Sequence, residues 1–390
     1  MRFSTAQCCI SPLQPVCPAG FLQQTSALCE VKDPLYAHIL AFDTEDCITF
    51  LIFLDSLGVP SSLQMHLQQW ASELAGKDAA VIVSCTHTHF APDAKDVQYM
   101  DQLYVQLTAA MQKMTFNTYD SLSWSFAQEP FDKVGTSRIS HHHADVRLSL
   151  FSIYDADTRL ATVIIYNCHP TILRFDTPYF SSEYPGVLIS LLKTQYPSEF
   201  FVFAQGAAGD ISTRFTRKAQ DHEAMEEMAS LLNAEISRLM DAPADKHPLS
   251  FIHAAEESLS LKHVFAPIDL SDIPDDLSPR EITEIHTGEI MRQKLEEQKE
   301  TMPNAILLAG ADIGGMKFVF CPCELFSWYQ SCLKDNEAVL VCYSCGYAPY
   351  VTEPGFSAIT YELFTDTFSK DTKQRLIDML ANLSSRKEML

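Results

Sequence analysis

The sequence contains no run of about 18 apolar residues, the length a membrane-spanning helix needs. Its longest apolar stretches, such as Ile48–Leu54 and Ala79–Cys85, have the length of strands. The N-terminus MRFSTAQCCISPLQPVCPAGF has one positive charge at Arg2 but no uninterrupted apolar segment behind it, so it does not read as a secretory leader. A cytoplasmic location is the expectation that follows. Basic residues are few as well: 28 Lys and Arg stand against 50 Asp and Glu, a formal charge of −22. Binding to nucleic acid or to an anionic membrane surface needs clustered Lys and Arg, so both are disfavoured. No Gly-x-Ser-x-Gly elbow occurs, which leaves a serine-hydrolase triad without direct support. No repeat, low-complexity segment or flexible linker is visible.

What is present is an ordinary globular composition. Of 390 residues, 47% are hydrophobic and 20% charged, enough to bury a large core without disulfide staples. Twelve cysteines without a leader point to reduced thiols. Cys321-Pro-Cys323 and Cys342-Tyr-Ser-Cys345 could be read as a four-thiolate zinc site, but the spacing is not that of paired CxxC motifs, and structural thiols are the better reading. Apolar strand-like runs alternate with amphipathic helical runs. Strands are expected at 36–42, 47–54, 79–85, 121–126, 146–154, 160–168, 200–204, 249–264, 305–309, 317–321 and 338–342. Helices are expected at 61–76, 97–114, 184–195, 223–240, 325–334 and 372–390. The pattern argues for an α/β fold, one large domain over 1–390 with mixed sheets flanked by helices. Residues 267–303 differ from their surroundings. They are proline-flanked and highly charged, with a helix over about 280–300. That segment reads as a solvated helical insertion, or as a mobile cover over a site.

Five segments carry possible chemistry. In Thr86-His87-Thr88-His89, positions i and i+2 of an extended segment face one side. Two imidazoles therefore converge at a strand's C-terminal end, where α/β sheets place their sites. They serve either as metal ligands or as satisfied polar residues. His169 repeats the pattern behind a second apolar strand. Gln205–Ser212 is a small-residue loop in which two glycines permit close approach, or in which Asp210 caps a turn. Glu324 and the pair Tyr347 and Tyr350 are unremarkable taken singly. His141-His142-His143 reads as a loop feature, since consecutive residues do not easily share one metal geometry.

Taken in order, these segments resemble the N-terminal catalytic domain of the neutral/alkaline, non-lysosomal ceramidase family. Ile10-Ser11-Pro12 is similar to its "ITP", Asp33-Pro34-Leu35-Tyr36-Ala37 to "DPLYA", and Thr86–His89 to "THTH". His169-Pro170, Gly209-Asp210-Ile211-Ser212, Pro322-Cys323-Glu324, Tyr350-Val351-Thr352 and Tyr361-Glu362 follow in the family's order. Asp55 looks like its strand-ending aspartate. Cys323 replaces a glycine, Phe90 stands where a small residue is usual, and Gly-Asp-Ile-Ser-Thr-Arg replaces "GDVSPN". The chain ends soon after Tyr361, so no counterpart of the family's C-terminal β-sandwich domain is expected.

The resemblance implies a zinc ion held by His87, His169, Glu324 and Tyr350. It places His89 and Ser212 at the reacting centre, Tyr361 against substrate, and Arg138 as the substrate-side arginine. The implied activity is hydrolysis of an N-acyl amide, with a lipid-like or other small-molecule substrate. Zinc activates water and polarises a carbonyl, His89 supplies a proton to the leaving amine, and Glu324 both binds metal and accepts the water's proton. Two alternatives stay open: a zinc hydrolase for a small soluble substrate, and a non-catalytic binding protein that keeps the fold. The sequence does not address oligomeric state.

Overall fold

The computed structural model describes residues 1–21, 24–270, 273, 277–335 and 337–385. Its architecture is mixed α/β, built from sheets flanked by helices. The first sheet runs in the order Asp78–Cys85, Cys47–Leu54, Tyr36–Asp43, Arg2–Cys9, Asn117–Thr118. The second runs Phe200–Gln205, Thr158–Tyr166, Arg147–Asp155, Leu122–Pro130, His247–Pro248. The third runs Ile252–Ser260, Ala305–Ile313, Met316–Phe320, Ala338–Val341.

Side by side, the three sheets show a repeat that the sequence hides. In each, three strands pair antiparallel in chain order, and the chain then crosses over to lay a fourth strand parallel to the third. The crossovers are the helix Ser61–Ala75, the helix Glu183–Gln195 and, in the third unit, a short strand with the 3-10 turn Ser327–Cys332. A parallel pair cannot be joined by a tight turn, so each unit needs such a crossover.

Strand faces alternate between two environments, as a period of two requires. Phe42 and Phe53 from the first sheet, Trp124 and Phe151 from the second, and Ala311, Phe318 and Val341 from the third share one core between the sheets. The opposite face of the first sheet, with Ile39, Ile52 and Val83, packs under the helices Ser61–Ala75 and Val97–Gln112. The second sheet is covered by Glu183–Gln195 and His222–Asp241. Burial on both faces explains why these strands read as near-continuous apolar runs.

Most expected elements lie within a few residues of their observed bounds. The long strand expected at 249–264 is Ile252–Ser260. The helix expected at 325–334 is not α-helical, because Leu325 is held in the short strand Cys323–Leu325 against Val351, leaving the 3-10 turn Ser327–Cys332. The first strand, Arg2–Cys9, was not expected; its mixed sequence RFSTAQCC shows no clean period. The helix expected at 372–390 is Lys370–Ser385, and 386–390 lie outside the described residues. Within 267–303, residues 271, 272 and 274–276 also lie outside them. The helix there, Pro279–Glu297, opens with Ser278 and Glu281 in a reciprocal capping box and a proline in its first turn. Among the described residues, no helix is long and apolar enough to cross a membrane.

Candidate metal centre and active site

The carboxyl ends of the three parallel strand pairs meet. Cys85 N–H donates to the Tyr343 carbonyl at 3.0 Å, Cys345 N–H to the Val83 carbonyl at 2.8 Å, and Cys342 N–H to the Gln205 carbonyl at 2.8 Å. His87 lies two residues beyond the first unit's fourth strand, and His169 three beyond the second unit's third strand. Glu324 follows the third unit's third strand by four. Polar residues just past these apolar strands are therefore carried to one point.

Backbone carbonyls fix both imidazoles. His87 Nδ1 lies 2.8 Å from the Leu57 carbonyl, and His169 Nδ1 lies 2.7 Å from the Ala208 carbonyl. Carbonyls only accept, so each Nδ1 carries the proton and each Nε2 keeps its lone pair. Glu324 Oε2 lies 3.0 Å from His169 Nε2 and 3.4 Å from His87 Nε2. The Tyr350 hydroxyl is 3.2 Å from His169 Nε2. All four groups are buried. Burial pushes the Glu324 carboxyl up, and it is drawn well below the usual carboxylate range where His87 and His169 carry positive charge toward it. Burial lowers His169. Burial, followed by His87 and His169, holds His89 well below its ordinary value.

The site accepts a metal ion on its donor chemistry. Two imidazole nitrogens with free lone pairs, a carboxylate and a phenol converge, and this is a nitrogen–oxygen set of the kind zinc takes. His87 Nε2 and both ring nitrogens of His89 are buried without a hydrogen-bond partner. His87, His89 and His169 each place a ligand nitrogen within 4.8 Å of the others. Two donor sets therefore compete: three histidines, or His87 and His169 with Glu324 and Tyr350. The second is better supported, because Glu324 Oε2 already faces both Nε2 atoms and Tyr350 faces one of them. His89 is then left free for proton transfer. No cysteine joins this group among the described residues; Cys321, Cys323, Cys342 and Cys345 are buried free thiols.

The remaining sequence-derived candidates surround this centre. Arg138 Nη1 donates to the Tyr350 hydroxyl at 3.3 Å, and its Nε pairs with Glu362 at 3.0 Å. Burial alone would lower Arg138, but Glu362 and Tyr350 raise it well above its ordinary value, so it stays charged. The Tyr361 ring meets the Tyr350 ring edge-on at 5.8 Å. Ser212 is buried, bridges His169 through the backbone, and its hydroxyl accepts from Arg214 N–H at 3.2 Å. Asp210 does not cap a local turn. It accepts from Ser327 N–H at 2.6 Å and its hydroxyl at 2.8 Å, and lies 3.1 Å from His142 Nε2. That contact raises His142 and gives one of the three loop histidines a definite place.

Three contributors were not singled out from sequence for the roles their contacts give them. Tyr343 stacks on His87 with ring centroids 4.0 Å apart. Tyr347 donates to Glu324 Oε1 at 2.5 Å. Glu362 anchors Arg138. The Tyr361-Glu362 motif was a signal for the last of these; the other two announce themselves only through partners distant in sequence.

No protein-family model matches the sequence, and no curated protein does. Solved structures do match in shape. A ceramidase complexed with C2 is 12% identical, with a TM-score of 0.75 over 98% of this chain and 74% of that chain. The neutral ceramidase from Pseudomonas aeruginosa is 13% identical, with a TM-score of 0.74 over 99% of this chain and 74% of that chain. Over nearly its whole described length, the chain has the fold of the neutral ceramidase structures.

Proposed function

We propose that the chain is a zinc-dependent amidohydrolase that cleaves an N-acyl amide. The observation that carries this reading is the pair of buried imidazoles, His87 and His169, each locked through Nδ1 to a carbonyl and each turning Nε2 toward Glu324. His87, His169, Glu324 and Tyr350 would hold the ion. When bound, zinc polarises a carbonyl and lowers the pKa of water toward neutrality.

The chain's own residues supply the rest. Arg138, charged and tied by Glu362, presents its guanidinium beside Tyr350, where it stabilises negative charge on the amide oxygen. His89, kept neutral by burial, takes up the proton released on attack and passes it to the leaving nitrogen. Tyr361 lies against Tyr350 on the substrate side. Ser212 serves position rather than nucleophilic attack: its hydroxyl accepts from Arg214, and its backbone bridges His169. One of the structures with this fold is a ceramidase complexed with C2, which supports a lipid-like amide as the substrate class. A second reading, a small soluble amide, is favoured by the charged groups packed around Arg138, namely Glu362, Arg214 and Glu284.

The test is metal analysis of freshly purified chain together with hydrolysis of N-acyl amides of graded acyl length. About one zinc per chain and hydrolysis lost in His169→Ala are expected. A chain that neither holds nor takes up zinc, and hydrolyses none of the panel, sinks the reading. A preference for short acyl groups selects the soluble substrate.

A further inference from the structure

Glu324 has two carboxylate oxygens, and the site uses them differently. Oε2 faces the Nε2 atoms of His169 and His87 at 3.0 and 3.4 Å. Oε1 accepts a hydrogen bond from the Tyr347 hydroxyl at 2.5 Å. Glu324 is buried, whereas Tyr347 is 43% exposed, so the tyrosine reaches in from the surface to hold a group that solvent does not reach.

The seat of this tyrosine is built from the turn that also fixes His87. A Cβ placed on Gly58 would lie 2.7, 2.8 and 2.9 Å from Tyr347 Cγ, Cβ and Cδ2, so the tyrosine lies directly on the glycine backbone. The neighbouring Leu57 carbonyl is the acceptor for His87 Nδ1. The Tyr347 ring is 5.9 Å from the His87 ring. Residues 57 and 58 thus set the tautomer of one proposed ligand and the position of the residue that orients another. On the other side, Tyr347 leads into the strand Ala348–Val351, where a register shift at Cys323 and Glu324 brings Glu324 opposite Tyr350.

We infer that Tyr347 is a positioning residue that commits Glu324 to present Oε2 to the metal site; this rests on the zinc-site reading above. A glutamate carboxylate rotates broadly about its last torsion. Without the phenol, Oε1 loses its donor in a buried setting and nothing selects which oxygen faces the imidazoles. Partners that orient a ligand in this way typically change metal affinity or activity by about 10–100-fold when removed.

The experiment compares metal-free wild type, Tyr347→Phe and Gly58→Ala by chelator competition for zinc, and by the visible spectrum of the cobalt(II)-loaded proteins. Tyr347→Phe keeps the ring on Gly58 and removes only the hydroxyl. It is expected to weaken zinc binding about 10–100-fold, to shift the cobalt spectrum, and to leave the metal-free chain folded, with a lowered melting temperature because Glu324 Oε1 loses its donor. Gly58→Ala, which lifts the ring, is expected to weaken zinc binding in the same direction. Wild-type zinc affinity and an unaltered cobalt spectrum in Tyr347→Phe overturn the inference and leave the zinc site standing. A wild type that binds neither ion overturns both.

Discussion

His87 and Tyr343 stack at 4.0 Å, and each lies two residues past the fourth strand of its own repeat unit. Both have a positive φ, 66° for His87 and 54° for Tyr343, a region that residues other than glycine seldom enter. Equivalent positions of the first and third units thus adopt the same backbone conformation and meet ring against ring. One unit contributes a proposed ligand and the other contributes the surface that packs it.

The Tyr343 hydroxyl is buried and has no hydrogen-bond partner among the described residues. An unsatisfied buried hydroxyl costs about 1–3 kcal/mol. Tyr343→Phe keeps the stack and is expected to stabilise the metal-free chain by about 1 kcal/mol. Tyr343→Ala removes the stack and leaves a cavity beside His87, with an expected loss of about 3–5 kcal/mol. Chemical denaturation of both variants checks this; a destabilised phenylalanine variant would show that the hydroxyl has a partner in solution.

Metal content separates the two donor sets. His87→Ala and His169→Ala are expected to abolish stoichiometric zinc. His89→Ala is expected to keep zinc and lose about 10²–10⁴-fold in turnover, the range for a general acid–base group. Loss of zinc in His89→Ala would instead establish the three-histidine set. Zinc at 100 times its dissociation constant should stabilise wild type by about 2.7 kcal/mol, and chelation should reverse the shift.

The sequence makes two of the proposed ligands, His87 and His169, conspicuous because each is a polar residue just beyond an apolar strand. His87 and His169 could be found in this way without any structure. Glu324 could not be paired with them by spacing, since their meeting depends on three strand pairs converging. The repeat itself is invisible because a sheet buried on both faces asks only for apolar residues. Phe42, Phe151 and Phe318 satisfy that demand alongside neighbours that share no motif. Tyr343 and Tyr347 were hidden for another reason: a tyrosine near a turn usually packs, and what these two pack against is supplied by His87, Gly58 and Glu324.

Two buried carboxyls outside the centre predict a pH dependence of stability. Burial raises Asp55 from 3.8 to about 7, although Tyr36 N–H donates to it, and raises Glu183 from 4.5 to about 7, although Leu173 N–H and Tyr184 N–H donate to it. Between the unfolded and folded values, the folded chain holds these protons and the unfolded chain does not. Stability contributed by each group is therefore present at low pH and is lost as pH rises toward 7, at up to about 1.4 kcal/mol per pH unit. Asp55→Asn should flatten the profile between pH 5 and 7, roughly the window these shifts define. An identical slope in wild type and variant would show that Asp55 titrates normally.

The helix Pro279–Glu297 buries little, only Ile285 and Gly288 among its described residues, yet it touches three segments that carry site residues. Ser140, two residues after Arg138, donates to Glu281 at 2.8 Å. Arg214, two after Ser212, pairs with Glu284 at 2.9 Å and also donates to the Arg138 carbonyl at 3.3 Å. Gly288 lies against Phe364 in the short helix Tyr361–Thr365, where an added Cβ would come within 2.7 Å of the ring. A solvated helix and a clamp make different predictions here. Glu284 is part-exposed but the Arg214 side chain is nearly buried, so Glu284→Ala should lower stability by about 1–3 kcal/mol and leave the chain folded. If the helix clamps the site, the same variant frees Arg214 and with it the Arg138 backbone, and kcat should fall. Gly288→Ala should do so by about 10-fold, because it displaces the segment bearing Tyr361 and Glu362, and small misplacements of positioning groups are costly in rate. Steady-state kinetics of the two variants decide between them: unchanged kcat and KM in both would reduce the helix to a solvated cover, whereas a fall in kcat in variants that stay folded at the assay temperature assigns it a part in holding the arginine and tyrosine side of the site.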